Sequence, residues 1–296
     1  MKNKITCLLA GAALFGATAN AEIALTDELS AYGYIDIVSV DGEIGNDDDR
    51  KTSTSEFELG LSFTPAESAF SAVAEISFNG DDSTDLETVT VTYQASDSLS
   101  ITAGRILSYQ GLESYDAPNN YFVSYAGYDN NPLYSAGYAD GVSVDYSAGD
   151  ISLGVWGGDQ PAGDDIDFEY YIGYTGIENL SLAVAIADND DGSETTNLMA
   201  TYEFGDFTVM AENVDSEGFS GDDVDVTSVT VAYSMGDITL AARLADGEYG
   251  ADDYENTSLS VFKALSDNAA IGFEYSEQER ASTETDGVAV ELLYVF

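Results

Sequence analysis

The chain has 296 residues, with 55 Asp and Glu against 8 Lys and Arg, no histidine, and a formal charge of −47. That balance excludes nucleic-acid binding, which needs cationic side chains against phosphate, and the missing imidazole excludes Ser-His-Asp and Cys-His nucleophile pairs and every histidine metal site. Disorder is excluded too, because 44% of the residues are hydrophobic, with 20 Tyr and 13 Phe.

Lys2 and Lys4 precede an apolar run from Ile5 to Phe15, and Ala19-Asn20-Ala21 follows. This charged, apolar, small-residue order is that of a secretory signal peptide spanning 1–21, with cleavage expected after Ala21. Cys7, the only cysteine, lies inside it. The exported chain, residues 22–296, therefore has no thiol for a disulfide or a cysteine metal site. A carboxylate pair can hydrolyse a sugar, but in a chain this acidic such pairs arise by accident, and no catalysis is expected.

Beyond residue 21 no apolar run reaches the ~18 residues of a spanning helix. Period two recurs instead. Phe57, Leu59, Leu61 and Phe63 alternate with Glu58, Gly60 and Ser62; Phe70, Ala72, Ala74, Ile76 and Phe78 alternate with Ser71, Val73, Glu75 and Ser77. Alternation of this kind predicts strands. Sixteen segments follow: 29–41, 52–63, 69–79, 86–94, 99–107, 133–147, 150–158, 166–175, 179–187, 196–204, 207–214, 225–234, 237–246, 255–264, 268–277 and 286–296. Short connections such as "PAES", "SDS" and "GD" alternate with longer acidic ones such as "DGEIGNDDDRKT", "DSEGFSGDD" and "DGEYGADD". Tyr93, Tyr146, Tyr174, Tyr202, Phe204, Phe207 and Tyr233 all lie beside short turns, as an interfacial aromatic belt requires.

An all-β fold of this kind reads as a transmembrane antiparallel β-barrel of about 16 strands. A soluble β-sandwich also alternates, but it places aromatics in mid-strand and need not alternate its loop lengths. The acids at 188–194, "DNDDGSE", lack the spacing and terminal Glu of a calcium loop. They read as hydrated surface suited to high external salt, with weak binding of Ca²⁺ or Mg²⁺ at the outer rim as the alternative; no resident metal or cofactor is expected.

Between the fifth and sixth segments the alternation stops, yet Leu112, Tyr115, Tyr121, Phe122 and Tyr125 persist. Within this stretch, "GRILSYQGLESYDAPNNYFVS" at 104–124 resembles the OmpL-like β-barrel porin family through Gly104-Arg105, Gly111-x-Glu113, Asp116, Pro118-Asn119 and Phe122-x-Ser124. Gln110 and Tyr125 depart from that pattern, which often has Pro before the Gly and a basic residue after the Ser. The final stretch "VAVELLYVF", with Tyr294 and Phe296, resembles the terminal strand that the barrel-insertion machinery reads in bacterial outer-membrane proteins.

The resemblance implies a sixteen-stranded porin in the outer membrane of a Gram-negative-type bacterium. It implies a homotrimer in outer-membrane lipid that passes small hydrophilic solutes and ions. The connection between strands 5 and 6, residues 108–132, is then a constriction loop folded into the lumen.

If the large apolar residues face lipid, their neighbours face the lumen. That assigns Glu56, Glu58, Glu75, Asp145, Asp167, Glu169, Glu203, Glu212, Glu274 and Glu291 inward, with Arg243. Such carboxylates are expected to stay hydrated, and a ring of them favours cations. Strict parity puts Arg105 toward lipid, where an arginine costs about 2–4 kcal/mol at the midplane. A bulge at Gly104 is therefore expected to turn it inward. Arg105 then faces Arg243 across the barrel and stands opposite Glu113 and Asp116 over the narrowest water. A structural or adhesive barrel whose lumen is plugged by 108–132 is the alternative.

Overall fold

The computed structural model describes residues 22–44, 47–80, 83–113, 116–124, 137–159, 166–189, 192–219, 222–280 and 283–296. The leader at 1–21 lies outside them, as do Tyr115 and the stretch 125–136 that includes Tyr125.

Sixteen strands form a closed antiparallel barrel, and a further two-residue strand, Ile23–Ala24, pairs with the start of the first. The sixteen are β1 (Leu29–Ile44), β2 (Asp47–Phe63), β3 (Phe70–Asn79), β4 (Thr84–Ser96), β5 (Leu99–Leu107), β6 (Tyr138–Ala148), β7 (Ile151–Asp159) and β8 (Asp167–Ile177). There follow β9 (Leu180–Asp188), β10 (Glu194–Phe204), β11 (Phe207–Phe219), β12 (Asp222–Met235), β13 (Ile238–Tyr249), β14 (Asp252–Ser266), β15 (Ala269–Arg280) and β16 (Thr283–Val295). Each strand pairs with the next, and β16 closes on β1 from Thr285 against Ile44 to Val295 against Tyr34. Closure leaves no edge, so the ladder satisfies the backbone without water, the condition for crossing lipid. The shortest strands have nine residues, and about 9–11 suffice to span.

Period two becomes two faces. Leu61, Val91, Val144, Ile172, Leu198, Val231, Leu259 and Val290 point outward and are exposed, while the alternate row points into the barrel. Near the short turns the outer face carries packed rings: Phe70 tilted against Tyr93 at 4.9 Å, with Phe204 stacked on Phe207 at 5.2 Å and Phe207 on Tyr233 at 4.6 Å. Lys263 lies at this rim and is ion-paired with Asp237 of the β12–β13 turn.

Four of the long acidic connections, at 41–52, 215–223, 246–253 and 276–286, differ from the sequence expectation, because much of what is described there is strand. Asp41 pairs with Lys51, Asp215 with Asp225, Asp246 with Glu255 and Glu277 with Asp286. The barrel therefore rises past its apolar band, and there its sidedness inverts. Val214, Val224, Val226, Ala245, Tyr249 and Tyr254 pack together inside, while Asp215, Asp225, Asp246, Glu248 and Glu255 face out. Once lipid ends, the outer face meets water, and the apolar mark moves to the row that still has packing partners.

Candidate functional site

The described parts of the connection between β5 and β6, residues 108–113 and 116–124, lie inside the barrel, held by side chains of the inward rows. Ser108 Oγ and Tyr109 N donate to the two oxygens of Glu169, each at 2.8 Å. Tyr109 Oη donates to Asp145 at 2.7 Å, and its ring stacks on Tyr171. Gly111 N donates to Asn197 Oδ1 at 2.9 Å and Leu112 N to Glu212 at 3.0 Å.

Farther along, Glu113 pairs with Arg243 at 2.5 Å. The 3-10 turn Ala117–Asn119 sets Ala117 against Tyr34, Leu293 and Val295 on β1 and β16. Tyr121 and Phe122 then pack on Met210, Ala232 and Ala241, which accounts for aromatics in a loop. Val123 N, Ser124 N and Ser124 Oγ all donate to Glu274. A loop needs acceptors for its N–H groups wherever it loses water, and the inward carboxylates supply them.

Arg243 is the hub of this docking. It is 1% exposed, donates to Asn256, Ser258 and Ser124 besides Glu113, and lies 4.5 Å over the Phe122 ring. A buried guanidinium is tolerable only when its fork is filled, and here loop and wall fill it together.

The loop leaves the wall of β1 to β4 to a different chemistry. Asp36 lies opposite Glu56 in register, Tyr34 opposite Glu58, and Tyr32 opposite Gly60. A side chain at Gly60 would collide with the Tyr32 ring, so glycine lets that ring lie flat and its hydroxyl reach Glu75 at 2.6 Å. Tyr34 Oη and Ser77 Oγ both donate to Glu56 Oε1, at 3.0 and 2.6 Å. On β4 the register shifts opposite Glu75, so that Glu87 and Thr88 together face one residue. This bulge brings Glu87 within 4.8 Å of Glu56 and Glu58, measured between carboxylate oxygens. Asp116 of the loop faces the same wall. Burial, then the charges of Glu75, Glu87 and Glu56, push its carboxyl up to about 7.

The sequence-derived residues thus fall into three groups. Glu58 and Glu75 line the acidic wall with Asp116, and Glu203 is exposed on its strand near the short-turn rim. Asp145, Glu169, Glu212 and Glu274 were expected to line open water. They are instead buried acceptors for loop donors, and Asp167 is buried beside them on β8. Alternation gives the face, but not what covers it.

Arg105 is corrected. Gly104 has φ 133°, yet no residue is inserted. Arg105 stays in register with Val89 and Asp140 in the outward row, and its Nε donates to the Leu86 carbonyl at 2.6 Å. Re-aiming a side chain needs an extra residue in the strand. The pairing of Arg105 with Glu113 and Asp116 across water, and its position opposite Arg243 across the lumen, are therefore absent. Sequence reasoning missed Glu87 because the bulge shifts strand parity. It missed Asp36 although the alternation of Tyr32, Tyr34 and Asp36 marks that row.

Comparison with known proteins agrees with this architecture. The barrel superposes on an anion-selective porin from Comamonas acidovorans with TM-score 0.69 at 17% identity, covering 90% of this chain and 99% of that one. OmpT of Vibrio cholerae gives 0.65 at 16% identity over 93% of this chain and all of that one. A mutant of the Rh. blastica porin gives 0.66 at 16% identity over 90% and 100%. No curated protein matches the sequence. Residues 8–283 match the family described as Gram-negative porin, and the chain belongs to that family.

Proposed function

We propose that this outer-membrane porin is a passive diffusion channel that prefers cations over anions and passes small hydrophilic solutes. The observation that carries the preference is the wall of Glu56, Glu58, Glu75 and Glu87 facing Asp116, while Arg243 is taken up by Glu113 and Ser124. Carboxylates in a water path raise the local cation concentration and repel anions. The anion-selective Comamonas porin shares the barrel, so the sign of selectivity is carried by side chains and not by the fold. No bond-making step is assigned to the chain. Export by a leader cleaved after Ala21, recognition of Tyr294 and Phe296 by the insertion machinery, and assembly into trimers belong to the same reading.

Reversal potentials across bilayers holding the purified protein in a KCl gradient test it. K⁺ preference, stronger at low ionic strength where screening is weaker, is the expected result, and Cl⁻ preference overturns it. The extent of loop packing inside the barrel favours a second reading, a structural barrel with a plugged lumen. Absence of single-channel steps would establish that one.

A further inference from the structure

We infer that Glu56, Glu58 and Glu87 form a binding site for one divalent cation of calcium's size on the β2–β4 wall. One oxygen from each lies within 4.8 Å of the others. Calcium–oxygen bonds of about 2.3–2.6 Å put opposed ligands roughly 5 Å apart, whereas magnesium demands a tighter cage. Three oxygens no farther apart than that can share one such ion.

A second observation points to a ligand. Glu58 is 3% exposed; its Oε2 accepts from no donor among the described residues, and its carboxyl meets that of Glu87. Asp36, the register partner of Glu56, likewise carries an unpartnered buried Oδ1. Buried carboxylate oxygens without donors are costly, and here two stand on one wall. The basic side chains whose positions are described, Arg105, Arg243, Lys263 and Arg280, are engaged with the Leu86 carbonyl, Glu113, Asp237 and the Tyr249 ring.

Carboxylates this close cannot all ionise without compensation. A proton shared by one pair leaves two of the three charges standing, whereas a divalent ion held by all three leaves only one. The surrounding donors suit an ion as well. Tyr34 and Ser77 hold Glu56 Oε1 with neutral hydroxyls, which fixes the carboxylate yet leaves its charge and its other oxygen for the cation. The site deepens the cation-preferring reading, since it makes the wall a place where a divalent ion dwells and impedes K⁺.

Calcium titration calorimetry on the full-length, detergent-solubilised barrel tests the site apart from conduction. Parent protein is expected to bind one Ca²⁺ saturably, and Glu58→Gln or Glu87→Gln to weaken binding by about tenfold or more. The exposed-turn control Asp206→Asn should bind as the parent does. In bilayers, added CaCl₂ should reduce K⁺ current through the parent and much less through Glu87→Gln. If Glu58→Gln fails to close its barrel, as judged by heat-modifiable gel migration, Glu87→Gln and Tyr34→Phe carry the comparison. No saturable binding, or equal binding by parent and variants, overturns the site and means that a shared proton holds the cluster. Cation preference without calcium binding removes this site alone. Calcium binding with anion preference removes the selectivity reading alone.

Discussion

Glu113 of the inward loop and Arg243 of β13 meet at 2.5 Å with only 7% and 1% of their side chains exposed. The pair joins residues 130 positions apart and closes a guanidinium fork that loop and wall share. It therefore pins the loop and removes the positive charge that would oppose the acidic wall.

Arg243→Met and Glu113→Gln should each loosen the docked loop, because breaking a buried pair costs about 3–5 kcal/mol when one charge is stranded. The double variant should be less perturbed than the sum of the two. Hydrogen exchange at the amides of Tyr109, Gly111, Leu112, Val123 and Ser124 measures this, with faster exchange expected in each single variant. Unchanged protection in Arg243→Met would mean that the pair does not hold the loop.

Deleting Glu113–Ser124 should raise single-channel conductance. The segment occupies lumen volume between β11, β14 and β16 through Tyr121, Ser260 and Ala117. Conductance equal to the parent's would show that the narrowest water lies elsewhere.

Selectivity should depend on pH near neutrality. The Asp116 carboxyl is raised to about 7 by burial and by Glu75, Glu87 and Glu56, so lowering the pH through 7 neutralises it and reduces the K⁺ preference. Asp116→Asn should remove that part of the dependence. The linkage sign is also set: a docked carboxyl with a raised value binds its proton more tightly than the free loop does. Docking is thus favoured at low pH and weakens as pH rises from the ordinary carboxylate range to about 7. Reversal potentials between pH 8 and 5 on both proteins check the first point. Loop hydrogen exchange, corrected for its intrinsic pH dependence, checks the second.

Removing Phe296 should lower the fraction of heat-modifiable, closed barrel. Its N–H donates to the Gly33 carbonyl and its carbonyl accepts from Gly33 N, both at 2.9 Å, while its ring stacks 6.0 Å from Phe57. These contacts lie at the seam where β16 meets β1. A truncated chain that assembles as fully as the parent would show that the seam closes without them.

Local chemistry determined much of this protein in advance. Sixteen alternating segments specified sixteen strands, because lipid outside and water inside impose opposite demands on successive residues and the demand repeats every two positions. Aromatics beside short turns and the apolar face of Val288, Val290 and Leu292 followed from the same rule, as did the inward position of Glu58, Glu169 and Glu274. The rule fails where one of its two solvents is missing. Above the lipid band both faces meet water or protein, so hairpins continued through 215–225 and 246–255 where composition suggested loop. Inside the barrel, the docked chain replaces water over β6 to β15 and turns Glu169, Glu212 and Glu274 from lining into anchors. Single-residue offsets were decided only by pairing: β4 bulges at Glu87 and gathers the acidic cluster, whereas β5 keeps its register at Gly104 and leaves Arg105 outside. Sequence periodicity reports which face a residue takes, and only the closed barrel with its loop decides what that face meets.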